Sequence, residues 1–409
     1  FIFGDNQSIG LLSHIKKRLP YGMDDQWMVF SHYTERGWTV DNLWHIFTDF
    51  YGGQYAPLAF LSYLVLYAGF GYDPFYFHMF SLLLHIGCVC LVWKLISSLL
   101  RVHGGVSEKQ ILYVNFITTL LFAVHPINVE AVAWISALKV LLYAFFYLLG
   151  LLCYLRYIRT SKIFYYVLTI GCFLCSFWGK EQAVTFPLAL LIVDWFTNRN
   201  MKNLEVWSEK MSFLIMAFFF GIITVLSQGK GPYEMIFPLY QRLLFGCFAL
   251  VEYITKSLLP VNLNFFYPFP IVLGEEPPLH YYLYPVVLLF LMGWIIAYRN
   301  NRYLVFGVLL FLVNLLFSIH LFNMSRHAIV ADRYMYLSYV GIAFLIANGI
   351  WWLRKRLSYF KAALVFLFFY CFFLSVYTFH YTKKWENTTM VKKYTKEVLE
   401  KRLNGSNHL

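Results

Sequence analysis

The residues best suited to chemistry lie near the start of the chain. Asp24 and Asp25 stand side by side in Gly22-Met23-Asp24-Asp25-Gln26-Trp27, just ahead of a long apolar body. Two neighbouring carboxylates can divide labour, one acting as general base while the other holds water, a metal or its neighbour. The bland alternative is a solvated loop with two ordinary aspartates. Three further groups share the pattern of ionisable residues placed beside apolar runs. They are His125-Pro126-Ile127-Asn128-Val129-Glu130 with Trp134 and Lys139, then Lys180-Glu181, then Arg326-His327 followed by Asp332-Arg333-Tyr334-Met335-Tyr336. A helix start that carries an arginine suits a phosphate or pyrophosphate. Lys180, Arg326 and Arg333 are therefore the candidate donor-phosphate contacts, against the plain reading of an Asp332 N-cap with Arg333 reaching for lipid headgroups. His78, His125, Glu130, Lys139, Glu181, Asp332 and Tyr336 are the candidate lining of a substrate cavity, although Lys180-Glu181 serves equally well as a structural ion-pairing site.

Something must position these groups, and composition says what. Of 409 residues, 60% are hydrophobic and only 13% charged, so the bilayer is the solvent for most of the chain. Apolar runs long enough to cross (about 20 residues each) fall near 77–100, 110–126, 138–158, 163–179, 182–197, 212–229, 281–298, 303–320, 334–353 and 360–381. The segment 240–260 is apolar too but carries Glu252 and Lys256, and reads as re-entrant, interfacial or broken. The expectation is an all-α integral membrane protein with about 11 membrane segments. Residues 1–76, rich in Trp and Tyr, read as a large first outward loop with helices lying in the interface. The bundle follows over 77–381, and 382–409 forms an outward tail.

Lys and Arg collect in alternate loops, among them Arg156-Arg159-Lys162, Arg199-Lys202-Lys210 and Arg354-Lys355-Arg356. That alternation puts these loops in the cytoplasm and every candidate group above on the opposite side. Ionisable groups at membrane depth are costly unless they pair or line a hydrated cavity, so their gathering on one face points to function.

The net charge of +12 lies in these orienting loops and does not indicate nucleic acid. The seven cysteines all lie in apolar segments, without zinc-site spacing. No GxxxxGK[ST], GxGxxG or HExxH occurs, so a soluble nucleotide donor is not implied and a membrane-embedded one fits better. No metal ligand set is assigned, and a divalent ion beside the paired aspartates stays open.

In order, Asp24-Asp25, Trp44-His45-Ile46-Phe47, Gln54-Tyr55-Ala56-Pro57-Leu58, Gly71 to His78, Leu83-Leu84-His85, His125-Pro126 to Trp134, Lys180-Glu181 through Pro187 to Asp194, and Ala331 to Leu337 follow one another. This series resembles the membrane portion of the O-mannosyltransferases with tetratricopeptide repeats, most of all their bacterial relatives. The resemblance runs over nearly the whole chain from about Gly22. It implies a GT-C fold, a polyprenyl-phosphate sugar donor, and transfer to a Ser or Thr hydroxyl of an exported protein. It also implies a multi-pass protein of the bacterial cytoplasmic membrane with a periplasmic active face, or of the ER membrane with a lumenal one. By that likeness the first outward loop carries the catalytic acid, matching Asp24 and Asp25, and the Arg of Asp-Arg-Tyr faces the donor phosphate, matching Arg333. Trp385 to Leu409 resembles the lead-in to the repeats.

Departures from the pattern matter. The family's first membrane helix is not supplied by residues 1–20, which suggests that the chain as given starts late. After Trp134 relatives carry a basic residue followed by Asp, and here Lys139 alone remains; Ser338 stands where relatives often have Pro. The expected function is an inverting glycosyltransferase. A lipid-linked-sugar transporter or flippase, and a non-catalytic scaffold presenting a repeat domain, are the competing readings; the one-sided gathering of motifs argues against alternating access.

Overall fold

The computed structural model describes residues 25–228, 237–271, 274–320 and 328–406, so Asp24 and Arg326 lie outside the described residues. Regular structure among the described residues is helical, with two isolated bridges, Tyr51 to Gln54 and Tyr267 to Val330. The helices are α1 (Asp25–Met28), α2 (His32–Glu35), α3 (Val40–Thr48), α4 (Pro57–Phe70), α5 (Pro74–His103), α6 (Glu108–Val124), α7 (Val129–Ala133), α8 (Leu138–Thr160) and α9 (Ile163–Gly179). They continue as α10 (Phe186–Phe196), α11 (Leu204–Gln228), α12 (Leu239–Leu258), α13 (Leu283–Ala297), α14 (Arg302–Leu315), α15 (Met335–Trp352), α16 (Leu357–Thr382) and α17 (Thr388–Ser406).

Six helical stretches are long and apolar enough to cross a membrane, or seven if the bent pair Glu108–Val124 and Pro126–Ala133 makes one span. The chain is thus an all-α membrane protein. Pro57–Phe70, Ile163–Gly179 and Arg302–Leu315 are apolar but shorter. Over 182–197, where the sequence suggests a full span, the chain first makes a 3-10 turn at Glu181–Thr185 and then an eleven-residue helix. Pro187 fits this late start, because a proline is tolerated in the first helical turn and not further in. Leu239–Leu258 is one continuous helix, so the broken form considered for 240–260 is excluded.

Local chemistry sets the joints that matter. Asp73 accepts from the Phe75 amide at 3.0 Å and Pro74 opens α5. His125, held extended ahead of Pro126, stops α6 and turns the chain by 50°. Gly179 at the end of α9 lies so close to α8 that a Cβ there would meet the Tyr143 amide nitrogen at 2.7 Å. That close approach brings Lys180, the next residue, against the outer end of α8.

One large apolar core joins α5, α6, α8, α9, α10, α14 and α15. A second packs the first outward segment onto the start of α8, with Met28, Tyr33, Ile46, Phe60 and Tyr63 against Ile135, Leu138 and Leu142. A third, smaller cluster of Val129, Trp134, Ala137, Leu263, Tyr381, Trp385 and Val391 caps the outer end. α13 and α16 turn most of their apolar surface outward (Phe290 is 83% and Phe368 67% exposed), as lipid-facing helices do.

Candidate active face

The turn that follows α7 organises the outer end. Asp25 is fully buried and its carboxylate accepts from the Trp134 indole at 3.2 Å, from the Ser136 amide at 2.9 Å and from the Ser136 hydroxyl. Three donors on one carboxylate tie the first outward segment to the turn ahead of α8. Asp25 is therefore an anchor. Ser136, in the stretch after Trp134 that departs from the family pattern, supplies two of those three bonds.

Lys139, one turn into α8, donates to the Gln54 side chain at 2.5 Å and to the Met28 sulfur at 3.6 Å. It too stitches the outward segment down.

Glu130 and Arg333 form an ion pair. The Arg333 guanidinium reaches Glu130 at 2.5 Å and the Arg333 amide donates to the other carboxylate oxygen at 2.7 Å. The guanidinium lies 5.3 Å from the Trp134 ring centre and 5.2 Å from that of Tyr334. An anion at this helix start is what the sequence suggests, and in the structure Glu130 occupies that place. Asp332 does not cap the helix: Ala331 holds the N-cap position and no side chain caps it. The buried Asp332 carboxylate instead accepts from Lys256 at 2.8 Å and from the Tyr267 hydroxyl at 2.9 Å. Lys256 sits 3.3 Å above the Tyr267 ring. Lys256 and Tyr267 were not among the expected site residues. The signal was present for Lys256, since an ammonium in an apolar helix requires a partner.

Lys180 differs from all of these. It is 3% exposed, its ammonium stands 4.6 Å over the Tyr334 ring, and that ammonium makes no hydrogen bond or direct ion pair among the described residues. Burial pulls its ammonium down to about 8. Glu181 beside it is half-buried.

The remaining expected residues lie elsewhere. His78 and His125 line a cavity of about 470 Å³ between α5, α7, the end of α16 and the Trp385-Glu386 turn. Tyr336 is buried behind that cavity, bonded at 2.7 Å to His85, and does not line it. The outer face thus divides. Asp25, Glu130, Lys139 and Arg333 fasten the Trp134 turn and the segment packed on it, Asp332 is held by Lys256 and Tyr267, and Lys180 stands over the Tyr334 ring, while His78 and His125 line the cavity on the other side of α7. Among the described residues, no three His, Cys, Asp or Glu side chains come together as a metal site, and all seven cysteines are free.

A second ionic cluster marks the other end of the bundle. Asp194 pairs with Arg199 at 3.2 Å and with Lys210, and Glu209 holds Arg199 at 2.6 Å and Lys210 at 3.1 Å, all around the Tyr154 hydroxyl. Tyr154 follows Lys139 by fifteen residues on α8, about 22 Å at the helical rise. Two acids and two bases are matched there, which makes it a self-satisfied clamp between α8, α10 and α11.

Fold and site define a class: a multi-pass α-helical membrane protein with buried acid–base pairs and a lone ammonium at its outer end. Comparison with known proteins carries this further. The chain is similar to the protein O-mannosyl-transferase TMTC2 of Mus musculus, at 32% identity over 189 residues, 42% of this chain and 21% of that protein. It is similar to protein O-mannosyl-transferase Tmtc3 of Drosophila melanogaster at 28% over 172 residues, 37% of the chain and 18% of the relative. For TMTC4 of Homo sapiens the figures are 28% over 206 residues, 45% and 25%. The chain thus matches between 18% and 25% of the length of these relatives. The family likeness expected from the sequence recurs in these matches, over 37–45% of the chain. No family model matches the chain, and no solved structure does.

Proposed function

We propose that this chain is the membrane part of a GT-C-type protein O-glycosyltransferase that takes a sugar from a polyprenyl-phosphate donor. The observation that supports the reading is the buried Lys180 ammonium, which makes no direct ion pair or hydrogen bond among the described residues and has Glu181 as its neighbouring charge. A buried cation without a direct ionic contact gains from an incoming phosphate that supplies one. The relatives' names make mannose the first sugar to test.

In this account Asp24 is the base. The acceptor Ser or Thr oxygen attacks the anomeric carbon, and its proton passes to the Asp24 carboxylate. The bond from that carbon to the phosphate oxygen breaks, and its electron pair leaves with the lipid phosphate. Lys180 stabilises the charge developing there. Attack opposite the leaving group inverts the anomeric centre. Arg333, Glu130, Asp332 and Lys256 hold the Tyr334 ring and the Trp134 turn in register. Arg326, outside the described residues, remains a second candidate for the phosphate. The active face is the outward one, lumenal or periplasmic, and residues 382–409 lead toward a tetratricopeptide-repeat region.

The test uses full-length protein in detergent or liposomes, radiolabelled polyprenyl-phosphate mannose and Ser/Thr peptides. Labelled peptide with inverted anomeric configuration is expected. Lipid binding without transfer, whatever donor sugar is supplied, would move the assignment to a transporter or scaffold.

A further inference from the structure

We propose that Cys153 of α8 and Cys172 of α9 form a thiol–disulfide site on the lipid side of the bundle, closed by a hydroperoxide dissolved in the bilayer. The site depends on the α8–α9 hairpin alone and not on the glycosyltransferase reading.

That hairpin is tight. α8 and α9 run antiparallel and are joined only by Ser161 and Lys162. Two glycines let the helices approach closely. A Cβ at Gly179 would meet the Tyr143 amide nitrogen at 2.7 Å, and one at Gly150 would meet the Cys172 Cβ at 3.2 Å. The Ser176 hydroxyl also donates to the Tyr143 carbonyl at 2.9 Å, so a bond as well as packing sets the register. Cys172 thus lies opposite Gly150, and Cys153 stands three residues beyond Gly150 on the same face of α8. Each Cα–Cβ bond tilts toward the N-terminus of its own helix. In this antiparallel register Cys153 leans outward and Cys172 inward, each toward the other, and their thiols share a hydrogen bond. A disulfide needs Cα atoms within about 7 Å. Glycine at 150, with no side chain to hold the helices apart, permits that approach.

The surroundings select the oxidant. Both cysteines are partly exposed, and the neighbouring arc of α9, Phe164, Val167 and Leu168, is exposed apolar surface. Cys153 lies seven residues before the end of α8, about 10 Å at the helical rise, and so within the span rather than at its edge. A water-borne oxidant is scarce at that depth, whereas a hydroperoxide carried on an acyl chain resides there. Oxidation takes two steps. The sulfur of one thiol attacks the peroxide, the O–O bond breaks, and the thiol becomes a sulfenic acid while the lipid leaves as an alcohol. The second thiol then attacks that sulfur, the S–S bond forms, and water leaves. Two thiols are oxidised, and one hydroperoxide is reduced to an alcohol and water. The closed bridge fixes the register of two helices whose outer ends carry Lys139 and Gly179-Lys180.

The experiment uses full-length protein in liposomes containing phosphatidylcholine hydroperoxide, followed by alkylation, digestion without reductant and mass spectrometry. A linked peptide pair joining Cys153 to Cys172 is expected, lighter than the two thiol peptides by two hydrogens and split by reductant, with Cys175 alkylated. The oxidised protein is expected to melt a few degrees above the reduced protein, because the bridge constrains the unfolded chain. Cys172→Ala keeps the Cβ that packs on Gly150 and should lose both the linked pair and the rise in melting temperature. Cys175→Ala should keep both. Full alkylation of Cys153 and Cys172, under treatment that oxidises methionines of the same protein, overturns the site. Linkage through Cys175 or between two copies overturns it as well. Equal rates of closure with water-borne hydrogen peroxide and with the lipid hydroperoxide overturn the choice of oxidant.

Discussion

Glu130 holds Arg333 twice, by the guanidinium at 2.5 Å and by the backbone amide at 2.7 Å, across 203 residues of sequence. The helix start that ought to attract an anion has one from its own chain, beside the Trp134 ring. Removing the acid alone leaves a largely buried guanidinium without its counter-ion, at a cost of about 3–5 kcal/mol. Glu130→Ala should therefore unfold at lower temperature than Glu130→Ala/Arg333→Met, in which both charges are gone. Thermal unfolding of the two variants in one detergent checks the order; equal or reversed melting temperatures contradict the pairing.

Asp25 is a positioning residue in this account. Replacing it with Ala strands the Trp134 indole and the Ser136 amide and hydroxyl, each buried donor costing about 1–3 kcal/mol. Asp25→Ala should lower the melting temperature clearly, and Asp25→Asn less so. Asp24→Asn should leave it nearly unchanged. Calorimetry on the three variants separates the anchor from its neighbour.

Lys180 gives a pH signature. Its ammonium titrates near 8 in the folded protein against an ordinary lysine value of 10.5, because burial disfavours the charge. The folded state gives up this proton first, so between about pH 8 and 10.5 the unfolded state binds more protons and the contribution to stability rises with pH. Donor binding runs the other way, since only the ammonium attracts phosphate. Affinity for a polyprenyl phosphate should fall as pH climbs through about 8. Lys180→Met should bind weakly with no such pH dependence, and Lys180→Arg should hold its affinity to higher pH. Equilibrium binding from pH 6.5 to 9.5 checks this.

The clamp at the opposite end is expected to matter for folding alone. Lys210→Met leaves Asp194 buried with one fewer cation and should cost about 3–5 kcal/mol. The fraction that folds should bind donor with unchanged affinity, because Asp194 and Lys180 lie at opposite ends of the bundle. A changed donor affinity in the folded fraction would contradict this separation.

Much of this fold was legible because membrane solvation writes itself into local sequence. His125-Pro126 announced its helix break, and the apolar runs announced a membrane bundle. The partners were not legible. Asp25 and Ser136 are separated by 111 residues, and Lys256 and Asp332 by 76, and nothing local encodes such pairings. Apolar runs also overstate spans. The run at 182–197 contains a 3-10 turn and an eleven-residue helix, because hydropathy reports the solvent and not the backbone. Asp332 illustrates a third limit: an aspartate ahead of a helix reads as a cap, until a buried lysine from another helix claims it.

The most direct test of the central claim is single-turnover sugar transfer from polyprenyl-phosphate mannose by full-length protein, wild type against Asp24→Asn. The account predicts a loss of about 10²–10⁴-fold in the variant, the usual worth of a general base, with donor binding and melting temperature retained. Transfer at the wild-type rate by a folded Asp24→Asn protein would contradict it.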